Sequence, residues 1–167
     1  MENNALDILK MAILMERRGK EFYTTVANQA KDENVKNIFF LMSKEEQLHI
    51  EQLSEHFKSF MKNGKFEKLE INHVEEDDTI AKLILDPSIK KSISAASFEA
   101  SAIGAAIDME NKAIEVYSKR AKESTDENEK ALYLWLTDFE RGHHKLLNDL
   151  NKELMEEVWN DNHFWPY

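Results

Sequence analysis

Apolar residues in the first part of the chain return at helical spacing. Leu6, Leu9, Ile13, Val26 and Ala27 predict a helix over about 4–30, with Asn3 or Asn4 able to cap it. Val35, Ile38, Phe39, Met42, Leu53, Phe57 and Phe60 predict a second helix over about 33–62, and Asn63-Gly64 is its stop signal. Residues 64–94 carry no long amphipathic pattern. There the acidic run Glu75, Glu76, Asp77, Asp78 precedes TIAKLIL, a short candidate helix closed by Asp86-Pro87, so this stretch reads as a crossover. A third helix follows over about 94–123, with small residues in SISAASFEASAIGAA that permit close helix approach, and a fourth over about 126–158, beginning near Thr125-Asp126. The expectation is an all-α protein of one domain. A first helical hairpin (5–62) and a second (95–158) are joined by a long crossover (63–94), and an aromatic tail (159–167) ends the chain. In such a four-helix bundle the second and third helices can run parallel.

Composition narrows the chemistry. The 167 residues hold no cysteine, which excludes disulfides, thiolate zinc sites, cysteine-ligated clusters and cysteine nucleophiles. Any metal must be held by His, Asp and Glu. A formal net charge of -10 argues against a nucleic-acid partner. The amino terminus, with Glu2, Asp7 and Lys10 inside its apolar pattern, reads as neither signal peptide nor membrane span, so a cytoplasmic protein is expected.

The stretch SKEEQLHIEQL, residues 43–53, is ambiguous by itself: a charged helix face turned to water, or half of a metal site. An internal repeat resolves the ambiguity. Displacing the chain by 94 residues aligns AILMERRGKEFY (12–23) with AIDMENKAIEVY (106–117), Asp32-Glu33-Asn34 with Asp126-Glu127-Asn128, and Glu46 and His49 with Glu140 and His143. Between 12–53 and 106–147, 14 of 42 positions are identical without a gap, so the two hairpins are related. The repeat also sorts candidates, because Glu45 falls opposite Phe139 and Ile50 opposite His144, so neither Glu45 nor His144 is reproduced. Residues three apart lie about 60° around and about 4.5 Å along a helix, so Glu46 with His49, and Glu140 with His143, can each converge on one ion. Adding one inward glutamate from each other helix, Glu16 and Glu110, completes the six-ligand set of a dinuclear carboxylate bundle. Four carboxylates nearly neutralise two divalent ions, and one imidazole per ion leaves positions open for oxygen or peroxide.

Taken together, AILMERRGKEFY, SKEEQLHIEQL, AIDMENKAIEVY and TDFERGHHKLL resemble, in order and spacing, a rubrerythrin-type member of the ferritin-like family over essentially all of residues 5–155. The resemblance implies a non-haem di-iron centre with Glu16, Glu46, His49, Glu110, Glu140 and His143 as ligands and Glu46 and Glu140 as bridges. It also implies a homodimer that reduces hydrogen peroxide, peroxide or dioxygen being the oxidant, in defence against oxidative stress. The alternative is a protein that oxidises, binds or delivers ferrous iron without sustained turnover. Zinc or manganese can replace iron in such a site. Two departures stand out. Rubrerythrins carry a further carboxylate one turn before the third-helix ligand, where this chain has Ile107, its neighbour Asp108 pointing about 100° away. They also carry a four-cysteine rubredoxin module, absent here, so electrons must come from a separate donor protein.

Tyr23 and Tyr117 lie seven residues after Glu16 and Glu110 on the same inward stripe; they either hydrogen-bond the carboxylates or pack as buried rings. His56, His73 and His163 have no histidine partner in the repeat and are expected on the surface or in loops. The acidic run 75–78 reads as a solvated loop, Phe39, Phe40, Tyr133 and Trp135 as core or interface aromatics, and VWNDNHFWPY as a segment that docks on the bundle or a second subunit.

Overall fold

The structure, a computed structural model, describes residues 2–31, 33–69 and 98–161, apart from the side chains of 2–4, 153, 154 and 156–161. Among these residues there are four helices and no strands: α1 Glu2–Gln29, α2 Glu33–Asn63, α3 Phe98–Glu123 and α4 Glu127–Asp161. Most of the crossover (70–97) and the end of the tail lie outside the described residues. With them go His73, His163, the acidic run and TIAKLIL.

Helix ends follow the local chemistry. Asp126 caps α4, its Oδ1 accepting the amides of Asn128 at 2.8 Å and Glu129 at 3.0 Å. At the end of α2, Gly64 takes φ of 65° while its amide reaches the Phe60 carbonyl, a left-handed stop that a Cβ would disfavour. α4 continues to Asp161, three residues past its expected end, into the region assigned to the tail. The small residues of α3 do not all serve close packing: Ala102 and Ala106 are buried, while Gly104 faces open space.

α1 buries Ala5, Leu9, Ala12, Glu16, Gly19, Tyr23 and Val26, steps of three and four that keep one stripe inward, with a glutamate at its centre. The apolar residues form two clusters. One contains Tyr23, Ala27, Ile38, Phe39, Met42, Ile103, Ala106 and Leu147; the other contains Tyr117, Ala121, Leu132, Tyr133, Leu136, Leu9, Ala12 and Leu53. Each residue of the first series stands 94 positions from its counterpart in the second, so the sequence repeat is a near-twofold symmetry of the core. Equivalent ring pairs match too, Tyr23 with Phe39 at 5.9 Å and Tyr117 with Tyr133 at 6.0 Å.

Helix directions follow from two hydrogen bonds. Tyr23 on α1 donates to Glu110 on α3, and Tyr117 on α3 donates to Glu16 on α1. Seven residues forward on one helix thus match seven back on the other, which makes α1 and α3 antiparallel. Each hairpin is itself antiparallel across a short connection, so α2 and α3 run the same way, and only a long crossover can join them. The molecule is a ferritin-like four-helix bundle.

Symmetry fails at one core position in a testable way. Val26 and Val35 in the first half correspond to Arg120 and Glu129 in the second, where the guanidinium donates twice to Glu129 Oε1 (2.8 and 2.5 Å) and Ser124 Oγ donates to Oε2 at 2.7 Å. Removing one partner strands the other in a mostly dry site. Arg120→Val should therefore lower stability by about 2 kcal/mol, and Arg120→Val/Glu129→Val should recover most of it, as read from urea midpoints of the metal-free protein.

Candidate metal centre

Between the two apolar clusters lies a polar layer. Glu16 of α1, Glu46 and His49 of α2, Glu110 of α3, and Glu140 and His143 of α4 are all at most 4% exposed. The structure brings together all six residues singled out in the sequence. One ligand atom each from Glu16, Glu46, His49 and Glu140 lies within 4.8 Å of the others, and the same holds for Glu46, Glu110, Glu140 and His143. Glu46 and Glu140 belong to both groups, as residues shared between two ions would.

Both imidazoles turn Nδ1 inward. His49 Nδ1 is 3.0 Å from Glu16, 3.2 Å from Glu140 and 3.6 Å from Glu46. His143 Nδ1 is 3.5 Å from Glu110, 3.4 Å from Glu140 and 4.0 Å from Glu46. Each glutamate not shared is oriented by a tyrosine of the opposite half, Glu16 by Tyr117 and Glu110 by Tyr23. That decides between the two roles open for these rings: they are buried, and they also hold carboxylates.

Electrostatics without a cation are costly here. Burial raises the Glu46 carboxyl well above its usual range, with Glu140 and Glu16 adding to it, and raises Glu110 to about 8 against the opposing effect of His143. Burial would lower both histidines, yet the surrounding glutamates, Glu140 foremost for His49 and Glu110 for His143, carry them well above the ordinary imidazole value. Glu140, despite complete burial, is held well below its usual range by His49 and His143. Burial, then Glu110 for Tyr23 and Glu16 for Tyr117, raises both phenols, which keeps them protonated as donors. The metal-free site therefore replaces cations with protons. Among the described residues, Glu140 Oε1 and His143 Nδ1 nonetheless lack a well-directed hydrogen bond. Buried lone pairs facing one point, in a hard oxygen and imidazole donor set, fit divalent ions of the iron, manganese and zinc type.

A cavity of about 200 Å³ reaches the carboxylates between α1 and α3. Its wall repeats across the near-twofold, with Met15 and Met109, Arg18 and Lys112, and Gly19 and Ala113 at corresponding positions. Arg18 and Lys112 are exposed, so the cavity opens to the surface. Gly19 is the close approach. A Cβ there would stand 3.2 Å from Glu46 Cδ and 3.3 Å from Oε1. Gly19→Ala should raise metal-free stability by up to about 1 kcal/mol through helix propensity while displacing Glu46 and weakening ion binding about tenfold, measurable by calorimetric titration.

Several residues fall outside the centre. His144 bonds Asn148 on its own helix, Asp108 is exposed, and Ile107 packs on the first apolar cluster, so no further carboxylate reaches the site from that turn of α3. Phe39 and Tyr133 are core and Trp135 lies against His49, whereas Phe40 is half exposed under the Lys44 ammonium. His56 corrects the expectation of a surface position: it is 4% exposed, its ring 6.1 Å from Phe66, and burial lowers its pKa. The reason is periodicity, since 49, 53 and 56 share one face of α2, and its counterpart in the repeat is the buried Leu150. Glu45, which the repeat sets aside because it is not reproduced, lies beside the centre. Glu45 Oε2 lies 2.5 Å from His143 Nε2.

An all-α bundle with two Glu-x-x-His helices and two further inward glutamates is the architecture of carboxylate-bridged dinuclear proteins. The sequence matches the model of the rubrerythrin family over residues 7–151, and the chain belongs to that family. Membership implies a di-iron centre, and the two buried Glu/His groups are where this chain can bind metal. Among solved structures the chain is similar to a hypothetical protein from Pyrococcus furiosus, at 26% identity and a TM-score of 0.63 over 90% of each chain. No curated protein matches it. No helix among the described residues is long and apolar enough to cross a membrane.

Proposed function

We propose that this protein is a di-iron oxidoreductase that reduces hydrogen peroxide with electrons from a separate donor protein. Glu16 and His49 would hold one iron, Glu110 and His143 the other, and Glu46 and Glu140 both. Iron held there would supply two-electron chemistry, in which one peroxide, two electrons and two protons give two waters. The chain supplies the rest. Tyr23 and Tyr117 keep Glu110 and Glu16 aimed inward, and the two apolar clusters exclude bulk water above and below the polar layer. The cavity gives small oxidants a way in: its space of about 200 Å³ reaches the carboxylates from the surface and has room for peroxide or dioxygen. The exposed Met11, Leu14, Phe40 and Leu134 leave apolar area for a donor or for a second copy of the chain, the homodimer included in this reading.

The observation that carries the reading is the pair of overlapping four-residue groups sharing Glu46 and Glu140. Its test is peroxide consumption by iron-loaded protein under anaerobic conditions with an artificial reductant. Many peroxides consumed per site support the enzyme; consumption that stops after one per site identifies an iron-oxidising or iron-holding protein instead.

A further inference from the structure

The near-twofold relation makes the inner atoms of the two ion positions equivalent, but behind the imidazoles it breaks. Nε2 of His143 meets Glu45 Oε2 at 2.5 Å, a charge-assisted contact from the neighbouring helix. Nε2 of His49 is buried and, among the described residues, has no hydrogen-bond partner. The position corresponding to Glu45 is Phe139, whose ring stands edge-on to His49 at 5.2 Å, and beside it Trp135 does the same at 5.3 Å. On the Nε2 side, therefore, one ring is held by a carboxylate and the other by packing.

We propose that the two ion positions are unequal, Glu45 acting as a positioning residue that makes the Glu110/His143 position bind its cation more tightly than the Glu16/His49 position. The inference rests on the dinuclear reading above and adds an order of filling to it. A carboxylate accepting from Nε2–H fixes the tautomer that leaves the Nδ1 lone pair free, fixes the ring plane, and makes the imidazole a stronger donor. Losing such a partner typically costs about 10–100-fold in metal affinity. At His49 no group among the described residues performs that task. Trp135 and Phe139 restrain the ring's orientation but cannot accept a strong hydrogen bond.

The test is an anaerobic titration of the metal-free protein with Co²⁺, followed by its visible bands and by NMR of ¹⁵N-histidine-labelled protein. The expected result is two steps separated by about 10–100-fold, with the His143 resonances shifting during the first equivalent and those of His49 during the second. Glu45→Gln, close in shape, and Glu45→Phe, which copies the other half, should weaken the first step by that factor and leave the second unmoved. Simultaneous filling, filling of the His49 position first, or an unchanged first step in both variants overturns the inference while leaving a dinuclear site intact. Absence of any bound Co²⁺ is a different result, which removes the dinuclear reading and this inference with it.

Discussion

Replacing Glu46 by glutamine is expected to have opposite effects on the metal-free and loaded protein. In the metal-free state burial and the neighbouring Glu140 and Glu16 already favour the neutral form of this carboxyl. Glutamine is close in shape to that neutral form, so the variant should keep its helicity and be as stable as the parent, or about 1 kcal/mol more so, at neutral pH. Ion binding should collapse. Glu46 belongs to both ligand groups, so each ion loses a charged donor, and the cost is no smaller than the roughly 10–100-fold attached to residues that merely support a ligand. After desalting, the variant should retain fewer than one ion per chain where the parent retains two. Asp108→Asn, which removes an equal charge from the exposed face of α3, should change neither quantity. Metal analysis beside thermal melting of the metal-free forms checks both halves of the expectation.

Loading with metal is expected to stabilise the bundle more at pH 8 than at pH 6. The folded, metal-free site binds protons more tightly than the unfolded chain at four places. His49 and His143 are raised above the ordinary imidazole value of about 6.5, so their contribution is complete below that pH and is lost as pH rises through the folded values. Glu46 is raised and Glu110 stands at about 8, so folding also takes up protons between the ordinary carboxylate range and pH 8, and stability falls across that window. Glu140 works the other way: its contribution is present above the ordinary carboxylate value and is lost only as pH falls through its depressed folded value. The sum is a metal-free protein that weakens from about pH 5 to pH 8. Cations take the place of these protons, and each ion at about a thousandfold above its dissociation constant adds roughly 4 kcal/mol. Two ions should raise the melting temperature by about 15–30 °C for a chain of this size, with the larger difference at the higher pH. Zn²⁺ serves as a redox-silent probe in scanning calorimetry. A difference that shrinks as pH rises would contradict the proton-for-cation exchange.

The helices and the six converging side chains were legible because both rest on periodicity. Apolar steps of three and four mark the stripes, and a 94-residue offset relates one hairpin to the other with no gap to blur it. The rest depends on distances across helices, which periodicity does not carry. Whether Tyr23 and Tyr117 bond a carboxylate is decided by the separation of α1 from α3, and each reaches the glutamate of the opposite half. The repeat sets Glu45 aside for a related reason. The repeat favours what both halves share, and Glu45 matters where the halves differ, 100° round α2 from Glu46 and facing α4. The absence of a matching histidine points His56 outward, whereas the apolar Leu150 opposite it in the repeat points inward, where the structure has both. The match of Arg120 and Glu129 to two valines was equally visible as a difference, but only the structure shows the two charges paired.

The most direct measurement is anomalous diffraction at the iron edge from crystals of protein loaded anaerobically with ferrous ions. Two peaks per chain are predicted in the polar layer, one beside Glu16 and His49, the other beside Glu110 and His143, with Glu46 and Glu140 in contact with both. A single peak, or iron found only on the exposed acidic surface, would contradict a shared two-ion centre.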